Sequence, residues 1–244
     1  KILSNKYQKQ TQIVTISFNS KIFTLKIPLV GYFQIKNLLM AVLAAMQCGL
    51  NQKKIFNQLH KIKPISGRLE CIASFNNNSN IFVDFAHTPD ALEQSLIALK
   101  KQFKNEIVIV FGCGGERDKK KRLSMGRVAS KYCRKIFITD DNPRNENPKK
   151  IRHAIMKGCK GLATNIGNRK KAIKSAIKEL RSNEILLVAG KGHENTQDYG
   201  NKILKFSDKK FIKKIIRNKK IKYEKKYFDN ILIKKAFNDN NLKN

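Results

Sequence analysis

An α/β protein with a doubly wound, mostly parallel sheet is the fold class predicted by the 244-residue sequence. Three observations predict it. From Arg68 onward short apolar strands alternate with amphipathic helices, the pattern of a sheet covered on both faces. Lys63-Pro64-Ile65-Ser66-Gly67 interrupts the chain just before that alternation begins, since Pro removes a donor and Gly permits unusual backbone angles. Finally, the chemically unusual residues fall in loops directly after the apolar runs, where doubly wound sheets bind ligands.

Taken in order, Gln12–Phe18 and Ile22–Ile27 alternate apolar and polar residues around Asn19-Ser20-Lys21 and predict a β-hairpin. Ile35–Cys48 is apolar at most positions, with Ala41, Ala44 and Ala45 permitting close approach. It predicts a buried helix that stops at Gly49. A second helix is expected over Gln52–Lys61. The break at 63–67 divides residues 1–66 from a domain at 67–217. That domain should contain strand Ile81–Phe85, helix Pro89–Lys101, strand Ile107–Phe111, helix Arg122–Cys133, strand Ile136–Thr139 and helix Pro148–Gly158. Strand Leu162–Thr164, helix Arg169–Leu180, strand Ile185–Ala189 and helix Asp208–Arg217 should complete it. The Asn76-Asn77-Asn78 run suits a turn between strands. Residues 218–244, basic around Tyr223, Tyr227 and Phe228, predict a marginal helix and a frayed tail.

The balance of 51 Lys+Arg against 18 Asp+Glu gives a net charge of +33, a field that attracts polyanions. The charge is mostly Lys, scattered along the chain and accompanied by excess Asn and Ile, so A- and T-rich codons account for it. No zinc-finger or aromatic ribonucleoprotein motif accompanies it, and specific nucleic-acid binding is not expected. Five cysteines form no Cys-x-x-Cys pair and predict neither a disulfide framework nor a zinc knuckle. No apolar stretch is long enough for a transmembrane helix, and the first residues lack a secretory pattern. The expectation is a cytoplasmic protein with no membrane partner.

Four loops carry candidate chemistry. Phe111-Gly112-Cys113-Gly114-Gly115-Glu116-Arg117-Asp118 could cradle a phosphate or carboxylate on its backbone N–H groups, or form a tight turn before a solvated charge run. It is neither a Rossmann fingerprint nor a P-loop. In Thr139-Asp140-Asp141-Asn142-Pro143-Arg144 the proline stiffens a loop whose arginine fork, amide and carboxylate could bind an amino-acid zwitterion. A surface Asx-turn is the alternative. Val188-Ala189-Gly190-Lys191-Gly192-His193-Glu194 offers a cation and a titratable pair between glycines, or simply a loop. In Asp84-Phe85-Ala86-His87-Thr88-Pro89-Asp90, helix capping explains Thr88, Pro89 and Asp90 but not Asp84 or His87, which could reach a ribose or adenine.

Together with Asn37-Leu38-Leu39 and Gly67-Arg68-Leu69-Glu70, these loops in this order resemble the Mur ligase family, and within it the diaminopimelate-adding branch. The resemblance covers nearly all of residues 28–217. It implies that residues 1–66 are the end of the family's central ATPase domain, and that 67–217 are its Rossmann-like C-terminal domain. The implied activity is ATP- and Mg²⁺-dependent ligation of meso-diaminopimelate to UDP-MurNAc-L-Ala-D-Glu in peptidoglycan synthesis, by a cytoplasmic monomer. Carried over by position, Arg117, Asp141, Asn142, Pro143, Arg144, Gly190 and Glu194 would hold meso-diaminopimelate, with Arg144 marking the diaminopimelate-adding branch because lysine has no distal carboxylate. Asn37, Arg68, Asp84 and His87 match positions of the ATP site between the central and C-terminal domains. The resemblance assigns no catalytic residue and no metal ligand. The chain departs from the family at Gln34, Lys120 and Leu123, and has no Walker-type loop, no lysine in the carbamylated context and no UDP-binding domain. It is therefore expected to be inactive alone. The rival expectation is a non-enzymatic basic remnant that binds nucleic acid or anionic membrane.

Overall fold

The structure is a computed structural model and describes residues 1–217; the expected tail at 218–244 lies outside the described residues. The chain forms two compact units, residues 1–65 with 94–104, and residues 66–93 with 105 onward.

The first unit opens with an antiparallel meander of β1 (Ile2–Gln8), β2 (Thr11–Phe18) and β3 (Lys21–Ile27). Asn19 and Ser20 both have positive φ (48° and 58°), which matches the right-handed twist of the flanking strands and closes a two-residue hairpin turn. The alternation in β2 turns Gln12, Val14 and Ile16 inward. Gln12 is tolerated there because its amide is satisfied: Nε2 donates to the carbonyls of Leu29 (2.8 Å) and Gly31 (3.1 Å), and Oε1 accepts from Asn5. Helix α1 spans Tyr32–Gln47, and Gly49 beyond it is left-handed. The expectation of burial along α1 is corrected. Gln34, Ile35 and Val42 are its buried residues, whereas Met40 is 68% and Leu43 48% exposed. Apolar composition on every side had implied packing on every side, but one side alone packs among the described residues. Helix α2 (Gln52–Gln58), capped by Asn51, runs into a 3₁₀ turn at Leu59–Lys61.

The second unit is built on a six-stranded sheet in the order β4-β5-β9-β6-β7-β8. Its strands are β4 (Glu70–Ser74), β5 (Asn80–Asp84), β6 (Glu106–Phe111), β7 (Lys135–Ile138), β8 (Ala163–Asn165) and β9 (Glu184–Ala189). Only β4 runs antiparallel to its neighbour; the others are parallel, as a doubly wound sheet requires. Helix α3 (Pro89–Phe103) starts in this unit at Thr88, whose Oγ1 accepts from Ala91 N–H, and continues into the first. Helices α4 (Lys120–Tyr132), α5 (Pro148–Met156), α6 (Arg169–Glu179) and α7 (Asp208–Arg217) follow their strands. Every residue of β9 is buried, including Glu184, because Arg134 grips both its carboxylate oxygens at 2.6 and 3.0 Å. Two elements were not anticipated, β1 and the hairpin of β10 (Thr196–Asp198) with β11 (Ile203–Lys205). The hairpin strands have three residues each, too few for an alternation to show, and β1 does not alternate, so pairing rather than pattern makes them strands.

The chain threads the sheet so that β9 is inserted last, between β5 and β6. The five parallel strands therefore end on one edge, and the loops after β5, β6, β7 and β9 share it.

Helices α4 and α5 meet at Gly126 and Gly158; a methyl group on Gly126 would stand 2.3 Å from the carbonyl of Ile155. Gly126→Ala should lower unfolding free energy by about 1–3 kcal/mol. Gly161 has a φ of +76° but open space around it, so Gly161→Ala should cost only the left-handed strain, about 1 kcal/mol. Urea midpoints of the two variants would test this ordering.

Candidate functional site

The loop after β7 is the centre of the shared edge. It can lie against the loop after β6 only because that loop has glycine at the contact: a Cβ on Gly112 would come 2.2 Å from the carbonyl of Thr139, and one on Gly115 would overlap the carbonyl of Pro143. Gly115 N–H donates to the carbonyl of Asn142 (2.9 Å), and Arg144 Nη1 donates to the carbonyl of Gly115 (2.7 Å). Arg144 has a φ of +51°, a conformation fixed further by its N–H bond to the carbonyl of Asp198. Its Nε lies 3.9 Å from the Asp198 carboxylate. Arg117 is exposed, and its stem flanks Gly114 beside the Arg144 guanidinium.

The loop after β9 closes the site from the other side. Gly190 has a φ of +107°, and a Cβ there would stand 2.5 Å from Oδ2 of Asp141. Lys191 is fully buried, and its Nζ donates to Asn142 Oδ1 (3.0 Å) and Glu194 Oε2 (2.7 Å). Asn142 completes the triangle by donating through Nδ2 to Glu194 Oε2 (3.0 Å), while its Oδ1 also accepts from Asp198 N–H (3.0 Å). The amide side chain is thus committed to neighbouring loops, which excludes a self-contained Asx-turn at Asn142.

Electrostatics sharpen this picture. Burial pushes the Asp141 carboxyl above the usual carboxylate range, although Arg169 and Lys191 pull it back. For Glu194 burial acts upward too, but hydrogen bonds from Lys191 and Asn142 win and hold it below its ordinary value. Burial pushes the Cys113 thiol up to about 12, so the glycine loop carries no thiolate nucleophile. Asp140, next to the site, accepts from Arg152 and from Tyr199 OH, and serves to anchor the loop.

Arg117, Asp141, Asn142, Pro143, Arg144, Gly190 and Glu194 thus line adjoining loops at one sheet edge. Of the other candidates, Asn37 lies on α1 in the first unit, exposed. In the second unit Asp84 is buried, and its Oδ1 accepts from Leu69 N–H (3.0 Å). Arg68 lies over the Phe85 ring at 4.6 Å, and His87 is exposed with its ring edge to Phe85. Gly67 packs on Gly192 and His193 so tightly that a Cβ would approach 2.3 Å from a backbone nitrogen. Among the described residues no cluster of three His, Cys, Asp or Glu could hold a metal ion, and no helix is long and apolar enough to cross a membrane. Arg169, Asp198 and Tyr199 belong to the site but were not singled out from sequence, and Lys191 was noted there without a role among the site residues. Lys191 had a signal in its bracketing glycines; the others had none.

Comparison with known proteins bears on the family. A family model described as Mur ligase, glutamate ligase domain, matches residues 67–192. The UDP-N-acetylmuramoyl-L-alanyl-D-glutamate–2,6-diaminopimelate ligase of Rickettsia montanensis is 46% identical over 209 residues, and that of Rhizobium meliloti (strain 1021) is 41% identical over 208. These alignments cover 84% and 85% of this chain but only 43% of each relative, so the chain spans under half their length. A solved structure of a ligase of the same name is 32% identical with a TM-score of 0.64, covering 88% of this chain and 45% of that one. The UDP-N-acetylmuramate-alanine ligase of Thermotoga maritima, at 18% identity and a TM-score of 0.61, covers 78% of this chain and 42% of its own and shares the fold.

A raised carboxyl at Asp141 means that the native state binds its proton more readily than the unfolded chain does. Its ionisation therefore withdraws stability as pH rises through the ordinary and then the native value. Asp141→Asn is expected to raise the thermal midpoint near pH 7, with the gain vanishing at about pH 3, below the ordinary carboxylate value. A midpoint lowered at every pH would show that pairing with Arg169 and Lys191 outweighs burial.

Proposed function

The chain belongs to the Mur ligase family, and on that premise we propose that it is the acceptor-amino-acid part of a cytoplasmic ATP-dependent ligase that joins meso-diaminopimelate to UDP-MurNAc-L-Ala-D-Glu in peptidoglycan synthesis. In this reading residues 1–66 are the end of the ATPase domain, and 67–217 bind the amino acid. The curated relatives support the substrate class, because those named above add 2,6-diaminopimelate.

One observation carries the assignment: a charge imbalance in the cluster behind Asn142. Asp141, Glu194 and Asp208 face two cations, Arg169 and Lys191, one carboxyl more than the cations neutralise, and Asp141, whose ionisation burial opposes, is the one left to be met. A substrate ammonium meets it. Beside that cluster Arg144 carries a guanidinium with a quarter of its side chain exposed, suited to a carboxylate. An ammonium and a carboxylate recognised side by side are the distal end of diaminopimelate, whereas lysine supplies only the amine. Held by that end, the substrate presents its other amine to the acyl carbon.

ATP, when bound, supplies the phosphoryl group that activates the D-Glu carboxyl, and Mg²⁺ balances the phosphate charge. For the nucleotide, Arg68 and His87 offer exposed cationic and aromatic edges around Phe85. Asp84 would contribute indirectly by fixing the backbone of Leu69. The 244 residues contain no Gly-Lys-Ser/Thr phosphate loop, so the chain by itself is expected to show no diaminopimelate-dependent ATP hydrolysis. Phosphate release from the purified chain would refute that.

Replacing Arg144 with Ala should weaken meso-diaminopimelate binding by about 2 kcal/mol, the lower end for a broken charge pair because the guanidinium is partly exposed. Lysine binding should change by less than about twofold, within the range of a surface substitution. Calorimetric titration with both amino acids tests the pair; equal losses would deny Arg144 its role in selecting the distal carboxylate.

A further inference from the structure

Arg169, the first residue of α6, has no exposed side-chain surface. Its Nε and Nη2 donate to the two carboxylate oxygens of Asp208 at 2.8 Å each, and Nη2 also donates to the carbonyl of Ala189 at 2.9 Å. Nη1 is different. It is buried, makes no hydrogen bond, and stands 4.0 Å from Oδ2 of Asp141.

A buried guanidinium with one arm left unpaired is unusual, because buried donors are normally satisfied. The separation explains what the arm does. At 4.0 Å it compensates the charge of Asp141 without occupying its lone pairs, which stay available to an incoming N–H donor. Asp208, fully buried at the start of α7, holds the guanidinium bidentately and fixes where that arm points. On its other side the Asp141 carboxylate is bounded by Gly190, where a Cβ would strike Oδ2.

We infer that Arg169 is a positioning residue for the amino-acid site: clamped by Asp208, it aims the Asp141 carboxylate at the substrate ammonium and keeps it ready to accept. The substrate half of this statement rests on the function proposed above; the Asp208–Arg169–Asp141 geometry does not. It makes α7 part of the site without touching ligand. The groups that face Asp141 are Arg169 from α6, Lys191 and Glu194 from the loop after β9, Asp208 from α7, and Cys113 from the loop after β6.

The test is a carbon-13 NMR titration of the 244-residue chain labelled at aspartate, with the Asp141 signal assigned by Asp141→Asn. In Arg169→Gln the Asp141 midpoint should move upward by about one pH unit, a tenfold change in proton affinity. General loosening of the pocket would move it downward, towards the ordinary carboxylate value, so a lowered or unchanged midpoint overturns the inference. If Arg169→Gln does not fold, the wild-type chain still decides. The guanidinium nitrogen signals of Arg169 should shift with the same midpoint as the Asp141 carboxyl, and signals that pass through it unmoved overturn the inference. Calorimetry with meso-diaminopimelate on the same samples should show about tenfold weaker binding in Arg169→Gln, the loss growing as pH falls. A wild-type chain that binds no diaminopimelate would sink the substrate assignment, while the titration would continue to judge Arg169.

Discussion

A lysine ammonium sealed from water sets the terms for everything around it. Lys191 has no exposed surface, and a buried charge persists only where its partners are in place. Two are supplied, Asn142 Oδ1 and Glu194 Oε2, and these are also bonded through Asn142 Nδ2. The triangle fixes the loop after β7 against the loop after β9 with three mutual bonds. Asp141 and Arg144 flank Asn142 in sequence, so their directions are inherited from it. Pro143 limits the backbone between them. A loop that would otherwise sample many conformations is thereby given one, and the cost of ordering it is met before any ligand arrives.

Close approach is the second constraint, and it is steric. The sheet order inserts β9 between β5 and β6, which crowds three loops at one edge. At Gly112, Gly115, Gly190 and Gly192 a side chain would collide with the neighbouring loop, in three cases with a carbonyl oxygen nearer than any real contact allows. The glycines therefore read less as a phosphate cradle than as clearance. Their backbone N–H groups are partly used between loops, as with Gly115 donating to Asn142 and Gly190 donating to the carbonyl of Asp84.

The strands and helices of the sheet were legible because burial on both faces demands apolar runs that water-facing segments do not show, as in Ile107–Phe111 and Ile185–Ala189. The position of the site was legible too, since its polar residues follow those runs. What could not be read was the partnership. Whether Asn142 serves a self-contained turn or a network depends on Lys191, 49 residues later, and on Asp198, 56 residues later. Arg144 read as a free fork, yet one arm is spent on the carbonyl of Gly115. Arg169 enters the sequence reading only as the first residue of a helix, and nothing local distinguishes it. On α1 the error ran the other way: an apolar sequence promised burial, and Met40 and Leu43 are exposed.

The net charge of +33 poses the hardest problem of interpretation, because a Lys-rich chain offers cations everywhere and most of them mean nothing. Burial separates the two populations. A solvated lysine such as Lys131, paired with Glu93 at 3.0 Å but 65% exposed, is screened and contributes little. Lys191 and Arg169 cannot be explained by codon bias, since an arbitrary cation placed there without Glu194, Asn142 and Asp208 would carry a large desolvation penalty. Each buried cation implies carboxylates that must be present with it, and the carboxylates here outnumber the cations. The surplus carboxyl is what the proposed reading turns on: Asp141, whose protonated form burial favours, is the group that an ammonium entering beside Asn142 would meet.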